Sequence, residues 1–227
     1  AELGVRNSGR EKISLISSLP PLIASYRADM QLPMQEMISE YHELIKIQAG
    51  IVDGFLAETI PSISEAEAVL TAAEKFGIRI MLGLTVSDEN GRVLRSGESL
   101  EATLEAIQKW NPLAVVINCS KPEAVSEALP VLSNRGIPFG AFANGFTSVD
   151  ALEPGGSVDV LQARKDLDPQ QYANFAGQWL DAGASIIGGC CEVGPKHIAA
   201  LDSLLKDRGI AKAGWMELER TNHLCFD

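Results

Sequence analysis

The chain has 227 residues, of which 46% are hydrophobic, so it is long enough to bury one sizeable core. Its formal net charge of −11 argues against a nucleic-acid partner, because such affinity rests largely on basic side chains that neutralise phosphates. No apolar stretch reaches the about 18 residues of a membrane span, and four cysteines are too few for a disulfide scaffold. We therefore expect a cytoplasmic protein whose thiols serve a metal or catalysis, without membrane or nucleic-acid partners.

Short apolar runs alternate with amphipathic stretches along most of the chain. The runs predict strands over residues 12–18, 51–57, 79–85, 114–118, 138–143 and 184–189. The stretches between them predict helices over residues 34–48, 64–77, 99–110, 122–136, 168–183 and 194–209. Strand–helix units repeated in this way predict parallel strands joined by helical crossovers.

Three further features mark boundaries. Ser64 is predicted to cap its helix, with Glu67 three residues on completing a capping box. Residues 145–167 form the longest irregular segment and are a candidate lid, while the tail, residues 211–227, has no clear period and stays unassigned. The chain begins without Met in a stretch that resembles the end of a helix, so we expect upstream sequence.

Both an open doubly wound sheet and a closed barrel fit this alternation. No G-x-G-x-x-G loop follows a strand, which disfavours a nucleotide-binding doubly wound sheet. The reactive side chains instead follow the carboxyl ends of strands, where a (β/α)8 barrel carries its active site. They are Ser18, Glu58, Thr85, Cys119, Asn144, Cys190 and Cys191. We predict a single α/β domain over residues 1–227, a TIM (β/α)8-type barrel that shows six units and lacks its first two.

The stretch Gly188-Gly189-Cys190-Cys191 places two adjacent cysteines at the end of a predicted strand, and Cys119 follows another strand. Free cysteines are often simply small buried residues, and a strained disulfide between Cys190 and Cys191 is a second alternative. Adjacent strand residues point to opposite faces, so both thiols reach one ion only if the strand ends there. The neighbouring glycines supply such an ending. The three thiols together favour a site for a soft metal.

Three thiolates without an evident fourth protein ligand are typical of a catalytic zinc, because one coordination position stays open for substrate. A substrate thiol in that position is held as the nucleophilic thiolate. Glu58 is either an exposed carboxylate or a group that binds a substrate ammonium, and Asn144 is either a turn residue or part of the same rim. His197 is interpreted as part of a solvated helix face, and Cys225 in the tail receives no role.

A family resemblance rests on segments spread between residues 13 and 205. They are Ala182-Gly183-Ala184-Ser185-Ile186-Ile187-Gly188-Gly189-Cys190-Cys191, Val116-Ile117-Asn118-Cys119, Leu56-Ala57-Glu58-Thr59-Ile60-Pro61, Ser18-Leu19-Pro20-Pro21 with Ser25-Tyr26-Arg27, and Ser96-Gly97-Glu98-Ser99-Leu100. In this order they resemble the homocysteine S-methyltransferase family. The two cysteine-bearing segments are the most specific.

The resemblance implies a TIM barrel that moves a methyl group from an activated donor to the zinc-bound thiolate of homocysteine, giving methionine. Zn²⁺ would be held by Cys119, Cys190 and Cys191. Glu58 would contact the amino group of homocysteine, and we predict Ser18, Thr59 and Asn144 as further substrate-binding residues. The partners are then small molecules, and a homo-oligomer is compatible with the sequence.

The methyl donor expected from the resemblance is S-methylmethionine or S-adenosylmethionine, with betaine, methylated selenium compounds or a corrinoid-linked donor as alternatives. Two departures from the family pattern favour a second hypothesis, a non-catalytic zinc-binding remnant. The first two strands of the family have no counterpart, and Glu192 stands where Gly usually follows the cysteine pair. A third hypothesis treats Cys190 and Cys191 as a redox switch.

Overall fold

The computed structural model describes residues 14–215, 217 and 218 of the chain. The strands are β1 (Ile16–Leu19), β2 (Gly54–Ile60), β3 (Met81–Leu84), β4 (Ala114–Asn118), β5 (Phe139–Phe142) and β6 (Ile186–Ile187). The helices are α1 (Met34–Gln48), α2 (Ile63–Glu74), α3 (Leu100–Ile107), α4 (Pro122–Leu132), α5 (Pro169–Asp181) and α6 (Pro195–Asp207). Short 3-10 helices lie at Gln108–Trp110 and Val158–Val160.

Each strand pairs in parallel with the next strand along the chain, in the order β1-β2-β3-β4-β5-β6. A doubly wound sheet would reverse its strand order at a switch point. Sequential order with crossovers of one hand instead places the helices on one face of the sheet, as in a barrel. The predicted fold is therefore confirmed as a parallel α/β structure with six β/α units of a partial TIM barrel.

Apolar side chains cover both faces of this sheet. The larger cluster packs the sheet against the helices and includes Tyr41, Leu82 and Trp179, all buried. Because neighbouring strand residues point to opposite faces, Met81 faces away from that layer. It belongs to a second, inner cluster with Leu113, Ala114, Val116 and Trp215. Trp215 comes from the tail and packs on Gly54, where a Cβ atom would overlap the indole ring.

Helix starts follow local hydrogen bonding. Ser99 and Asp168, the residues at which two helices were predicted to begin, cap α3 and α5. The predicted cap at Ser64 is wrong, because Ser62 caps α2 by accepting a hydrogen bond of 3.2 Å from the Glu65 N–H. The Ser64 hydroxyl instead donates to Gln31 in the loop after β1.

Strand β2 runs three residues beyond its predicted end at Ala57 and stops at Ile60. Its pairing register with β3 shifts between Ala57 and Ile60, which is an irregularity in the ladder. Glu58 and Thr59 therefore lie within this irregular strand end rather than after it. The bulge-like shift re-aims these two side chains at the carboxyl edge of the sheet.

Among the described residues, no helix is both long enough and apolar enough to cross a membrane. The candidate lid, residues 145–167, is tied at its base by a hydrogen bond of 2.8 Å from the Arg164 N–H to the Gly145 carbonyl. The Arg164 side chain also forms ion pairs of 2.7 Å with Glu123 and Asp166. Lid movement stays a prediction. Residues 12 and 13 of the first predicted strand, and Cys225, lie outside the described residues.

Candidate metal centre

The three thiols predicted to act together lie in one cluster. Their sulfur atoms all lie within 4.8 Å of one another. The Sγ of Cys119 lies 2.7 Å from that of Cys190 and 3.8 Å from that of Cys191. The Cys190 and Cys191 sulfurs are 3.9 Å apart, so the adjacent pair is not a disulfide, and all three cysteines are free.

Backbone hydrogen bonds between neighbouring strand ends bring these cysteines together. The Cys119 N–H, just after β4, donates to the Phe142 carbonyl of β5 at 2.9 Å. The Cys190 N–H donates to the Ala143 carbonyl at 3.0 Å, and the Cys191 carbonyl accepts from the Gly145 N–H at 2.9 Å. Cys119 has a φ of 51°, a left-handed conformation that turns its side chain out of the strand alternation.

The two glycines before the cysteine pair are required for close packing. A Cβ atom on Gly188 would lie 2.8 Å from the Phe142 ring, and one on Gly189 would overlap Val193. Glu192, directly after the pair, has a φ of 64° in the region that favours glycine. The Glu192 side chain lies over Gly145, where an added Cβ would approach to 2.9 Å. Compact turns thus hold the thiols on one side of the sheet edge.

The spacing of the sulfurs fits a tetrahedral zinc site. Zn–S bonds of about 2.3 Å place any two sulfurs about 3.8 Å apart in a tetrahedron. The distances from Cys191 to the other two thiols already match this value. The Cys119–Cys190 distance of 2.7 Å is shorter than an ordinary contact between two non-bonded sulfur atoms and has to open by about 1 Å to admit the ion. The donor set of three sulfurs suits Zn²⁺ rather than Mg²⁺ or Ca²⁺.

The electrostatics of the cluster favour a bound cation. Hydrogen bonds with Cys119 and then Cys190 lower the pKa of Cys191 to about 3. Hydrogen bonding with Cys119 and Cys191, followed by burial, raises the pKa of Cys190. One thiolate is thus stabilised by its protonated neighbours, while further negative charges so close to it repel one another. A divalent cation offsets that repulsion.

Glu58 and Ser18 form a pair at the ends of adjacent strands. The Ser18 hydroxyl of β1 donates a hydrogen bond to the Glu58 carboxylate of β2. Ser18 is exposed and Glu58 is half-buried, so the carboxylate keeps a fixed orientation and an accessible face. Such a group suits a ligand that carries a cation.

Thr59 is buried and is held by Asn118, the residue before Cys119. The Thr59 N–H donates to the Asn118 side-chain oxygen at 2.8 Å, and the Asn118 amide donates back to the Thr59 hydroxyl at 3.2 Å. This brace from β4 to β2 passes over Gly83 of β3, where a Cβ would lie 2.8 Å from the Asn118 oxygen. It fixes the backbones of Glu58 and Cys119 relative to each other.

Asn144 is fully buried just after β5. Its N–H donates to the Ser120 carbonyl at 3.0 Å, and its side-chain oxygen accepts from the Phe146 N–H at 3.2 Å. Its side-chain nitrogen has no hydrogen-bond partner among the described residues. A buried donor without a partner is costly, so the role of Asn144 in substrate binding stays a prediction to which this unpartnered nitrogen gives a physical reason.

Sequence patterns did not single out Tyr26, which the structure places at the thiols. Its hydroxyl lies 2.9 Å from the Cys119 sulfur. Burial raises the pKa of Tyr26, and Cys119 raises it further by repulsion whenever that thiol is ionised, so the phenol keeps its proton. The available signal was its place in the Ser25-Tyr26-Arg27 segment. The contact joins residues 93 positions apart, and no local pattern predicts it.

The side chains of His197 and Thr85 are both engaged in hydrogen bonds within the protein. The interpretation of His197 as part of a solvated face is wrong, because both ring nitrogens are engaged. Its Nδ1 accepts from the Gly194 N–H at 3.1 Å, and its Nε2 lies 3.1 Å from the Leu167 carbonyl. Thr85 is fully buried, and its hydroxyl accepts from Arg95 at 3.1 Å.

Comparison with known proteins agrees with this geometry. The family model for homocysteine S-methyltransferase matches residues 4–205. The chain belongs to the homocysteine S-methyltransferase family. Homocysteine S-methyltransferase 1 of Arabidopsis thaliana is 31% identical over 171 residues, which are 72% of this chain and 49% of the relative. Homocysteine S-methyltransferase 1 of Brassica oleracea var. italica is 29% identical over 192 residues, 81% of this chain and 55% of the relative.

The solved structures show the same fold. The metallated form of the homocysteine methyltransferase MmuM from Escherichia coli has a TM-score of 0.68 and 22% identity, covering 89% of this chain and 65% of that one. Its apo form has a TM-score of 0.64 and 21% identity, covering 89% and 66%. The chain of this homocysteine S-methyltransferase family member spans about half the length of the curated relatives it matches.

Proposed function

We propose that the protein is a zinc-dependent homocysteine S-methyltransferase that converts homocysteine to methionine. The observation that carries the proposal is the cluster of Cys119, Cys190 and Cys191 at the carboxyl edge of a barrel-type sheet. That edge is where TIM barrels carry their active sites. Membership of the homocysteine S-methyltransferase family supplies the substrate.

The three cysteines would hold Zn²⁺ and leave one position for the substrate sulfur. Zinc, when bound, supplies a substrate thiolate at neutral pH. The Glu58 carboxylate, oriented by Ser18, binds the substrate ammonium. The side-chain nitrogen of Asn144, which lacks a partner among the described residues, donates to the substrate carboxylate. Fixing both ends of the amino acid aims its sulfur at the methyl carbon.

The methyl donor we propose is a sulfonium, S-methylmethionine or S-adenosylmethionine. A sulfonium methyl carbon is electrophilic and leaves a neutral thioether after transfer, so the thiolate needs no further activation of the donor. The net charge of −11 attracts such a cationic donor. Betaine also carries a cationic centre that bears methyl groups, and a corrinoid-linked donor is a further alternative. A screen of methyl donors with homocysteine and zinc distinguishes both from a sulfonium donor.

The decisive test substitutes one thiol of the cluster. Cys190→Ser is expected to lose most of its bound zinc and to lower homocysteine methylation at least about 100-fold, because one of the three metal ligands is removed. Zinc content by atomic absorption and methionine formation by chromatography are measured together. Cys225→Ser, at a cysteine for which no role is predicted, is the matched control. Full zinc and normal turnover in Cys190→Ser would exclude the proposal.

A second candidate, a zinc-binding protein without activity, is favoured in the structure by Glu192. Its left-handed φ of 64° suits the glycine usual at this place in the family, and its side chain covers Gly145. Stoichiometric zinc without methionine formation from any donor would support this candidate. Glu192→Gly would then be expected to restore turnover if the side chain alone blocks the site.

A further inference from the structure

Tyr26 reaches the thiol cluster from the loop between β1 and α1. Its backbone has a φ of 67°, a conformation that a bulky side chain rarely adopts. Its hydroxyl lies 2.9 Å from the Cys119 sulfur. A strained residue at a site of chemistry persists only where the surrounding structure holds it in place.

Several contacts hold this loop. The Leu22 N–H donates to the buried Glu65 carboxylate of α2 at 3.0 Å. The Tyr41 hydroxyl of α1 lies 3.1 Å from the Pro20 carbonyl and 2.9 Å from the same carboxylate. The loop is therefore fastened to two helices before it reaches the sulfur. These contacts fix the position of Tyr26 relative to the cysteines.

The Tyr26 ring is covered by a fixed cation. The Arg95 guanidinium carbon lies 4.9 Å from the ring centroid. The Arg95 side chain is only 10% exposed, forms an ion pair of 3.1 Å with Asp88 and donates to Thr85 at 3.1 Å. A guanidinium over the ring face withdraws electron density from the phenol, which makes the hydroxyl a stronger donor.

We propose that Tyr26 is a positioning residue that donates a hydrogen bond to the Cys119 sulfur and thereby makes Cys119 a poorer methyl acceptor than the substrate sulfur. This inference rests on the proposed function. With homocysteine bound, four thiolates would share one divalent ion, and any of them is a potential methyl acceptor. A hydrogen bond to Cys119 lowers the electron density on that ligand, so Cys119 becomes a weaker nucleophile than it would be without the Tyr26 hydroxyl.

Spectroscopy of the cobalt-substituted protein tests the hydrogen bond without turnover. Loss of the donor raises the energy of the sulfur electrons, so Tyr26→Phe is expected to move the sulfur-to-cobalt charge-transfer band to longer wavelength. Its metal affinity, measured by competition with a chelator, is expected to fall about 10-fold, the usual effect of losing an outer-shell partner. Tyr41→Phe is the matched control, because it removes a hydroxyl that holds the same loop without touching sulfur.

Alkylation of the zinc-loaded protein tests the protection of Cys119. Iodoacetamide transfers its carbamoylmethyl group to sulfur with loss of iodide, and peptide mass spectrometry locates the modified cysteine. Tyr26→Phe is expected to raise the rate at Cys119 several-fold, and Arg95→Met to raise it less. Tyr41→Phe is expected to match the unsubstituted protein.

The outcomes separate the two proposals. If the unsubstituted protein binds metal and methylates homocysteine while Tyr26→Phe keeps the same charge-transfer band and Cys119 alkylation rate, this inference is overturned and the proposed function stands. The same holds if Tyr41→Phe matches Tyr26→Phe in both measurements, since the effect then comes from the loop. Failure of the unsubstituted protein to bind metal overturns both.

Discussion

Four non-glycine residues around the thiols have left-handed backbones. They are Tyr26, Thr59, Cys119 and Glu192, with φ between 51° and 67°. Each such conformation costs of order 1–3 kcal/mol, and the cost is met only where neighbouring contacts enforce it. Hydrogen bonds provide that enforcement at Thr59 and Cys119. The site is thus built on backbone geometry that ordinary strand ends do not have.

At the scale of one residue, Glu58→Gln tests the ammonium site. The change keeps the shape and removes the charge, so a charge-assisted hydrogen bond of about 1.5–3 kcal/mol to the substrate is lost. The KM for homocysteine is expected to rise about 10-fold or more, with zinc content unchanged. Ser18→Ala, which removes the hydroxyl that orients the Glu58 carboxylate but leaves its charge, is expected to have a smaller effect. An unchanged KM in Glu58→Gln would place the ammonium elsewhere.

Glu65 gives a pH-dependent prediction. Burial raises its pKa above the ordinary value of 4.5, so the folded protein binds this proton more tightly than the unfolded chain. Its contribution to stability is therefore present below the unfolded pKa of 4.5 and is lost as pH rises through the folded value. Glu65→Gln keeps an acceptor oxygen and carries no charge. Relative to the unsubstituted protein, it is expected to gain stability between about pH 4 and about pH 7.

Urea unfolding of both proteins at the two pH values measures this difference. The other carboxyl groups titrate alike in both proteins and cancel in the comparison. A stability difference that is the same at both pH values would show that Glu65 ionises as freely in the folded protein as in the unfolded chain.

At the scale of elements, the brace from Asn118 to Thr59 ties three strands together. Gly83→Ala places a Cβ 2.8 Å from the Asn118 oxygen and 3.0 Å from the Ala57 carbonyl. Overpacking of this kind costs about 1–3 kcal/mol of stability. Because the brace holds the strand ends that carry Glu58 and Cys119, the KM for homocysteine is expected to rise as well.

A double-mutant cycle separates the brace from general damage. Asn118→Ala removes the side chain that the new methyl group would contact. The double variant with Gly83→Ala is therefore expected to lose less stability than the two single variants lose together. Urea midpoints give the free energies of unfolding for the cycle. Additive losses would mean that the two residues act independently.

The elements with strong periodicity could be predicted from sequence. The observed bounds of α1 and β4 equal the predicted ones. A stripe of apolar residues at helical spacing, and a short apolar run bounded by turn residues, are each compatible with only one secondary structure at these positions. The end of β2 and the cap of α2 differ from the predictions, because both depend on tertiary contacts. The end of β2 is set by its irregular pairing with β3, and Ser64 is hydrogen-bonded to Gln31 instead of capping the helix. Local patterns do not contain that information.

The site divides in the same way. The cysteines of the cluster were predicted because rare residue types at strand ends are visible in sequence. Tyr26 and Asn118 were not, because their parts depend on contacts with residues distant in sequence and on unusual backbone angles. Ser18, Glu58, Thr59 and Asn144 stay predictions as substrate-binding residues. The structure adds the pairing of Ser18 with Glu58, the hydrogen bonds between Thr59 and Asn118, and a side-chain nitrogen of Asn144 without a partner among the described residues.

At the scale of the whole molecule, the strand order makes the fold recognisable. Sequential parallel pairing from β1 to β6 gathers the carboxyl ends of all six strands at one edge. The thiols therefore come from β4 and β6, which are separated in the sheet by β5. A ligand that binds all three thiols must connect two strands that do not pair with each other.

The shortness of β6 has a consequence for motion. Only Ile186 and Ile187 pair with β5 in the ladder, and β5 is the one neighbour of β6 among the described strands, yet β6 leads into two of the three thiols. Zinc, when bound, would link this strand to Cys119, which lies in the turn after β4. Removing zinc with a chelator is expected to speed amide hydrogen exchange in α5, β6 and α6 at least about 10-fold, with little change in α1 and β2.

Exchange measured by mass spectrometry with and without zinc checks this, with Cys190→Ser as a variant that should show fast exchange in both states. Equal exchange across the whole chain would mean that the sheet alone fixes β6. In the proposed enzyme, binding of zinc would then also control how often the segment from α5 to α6 opens.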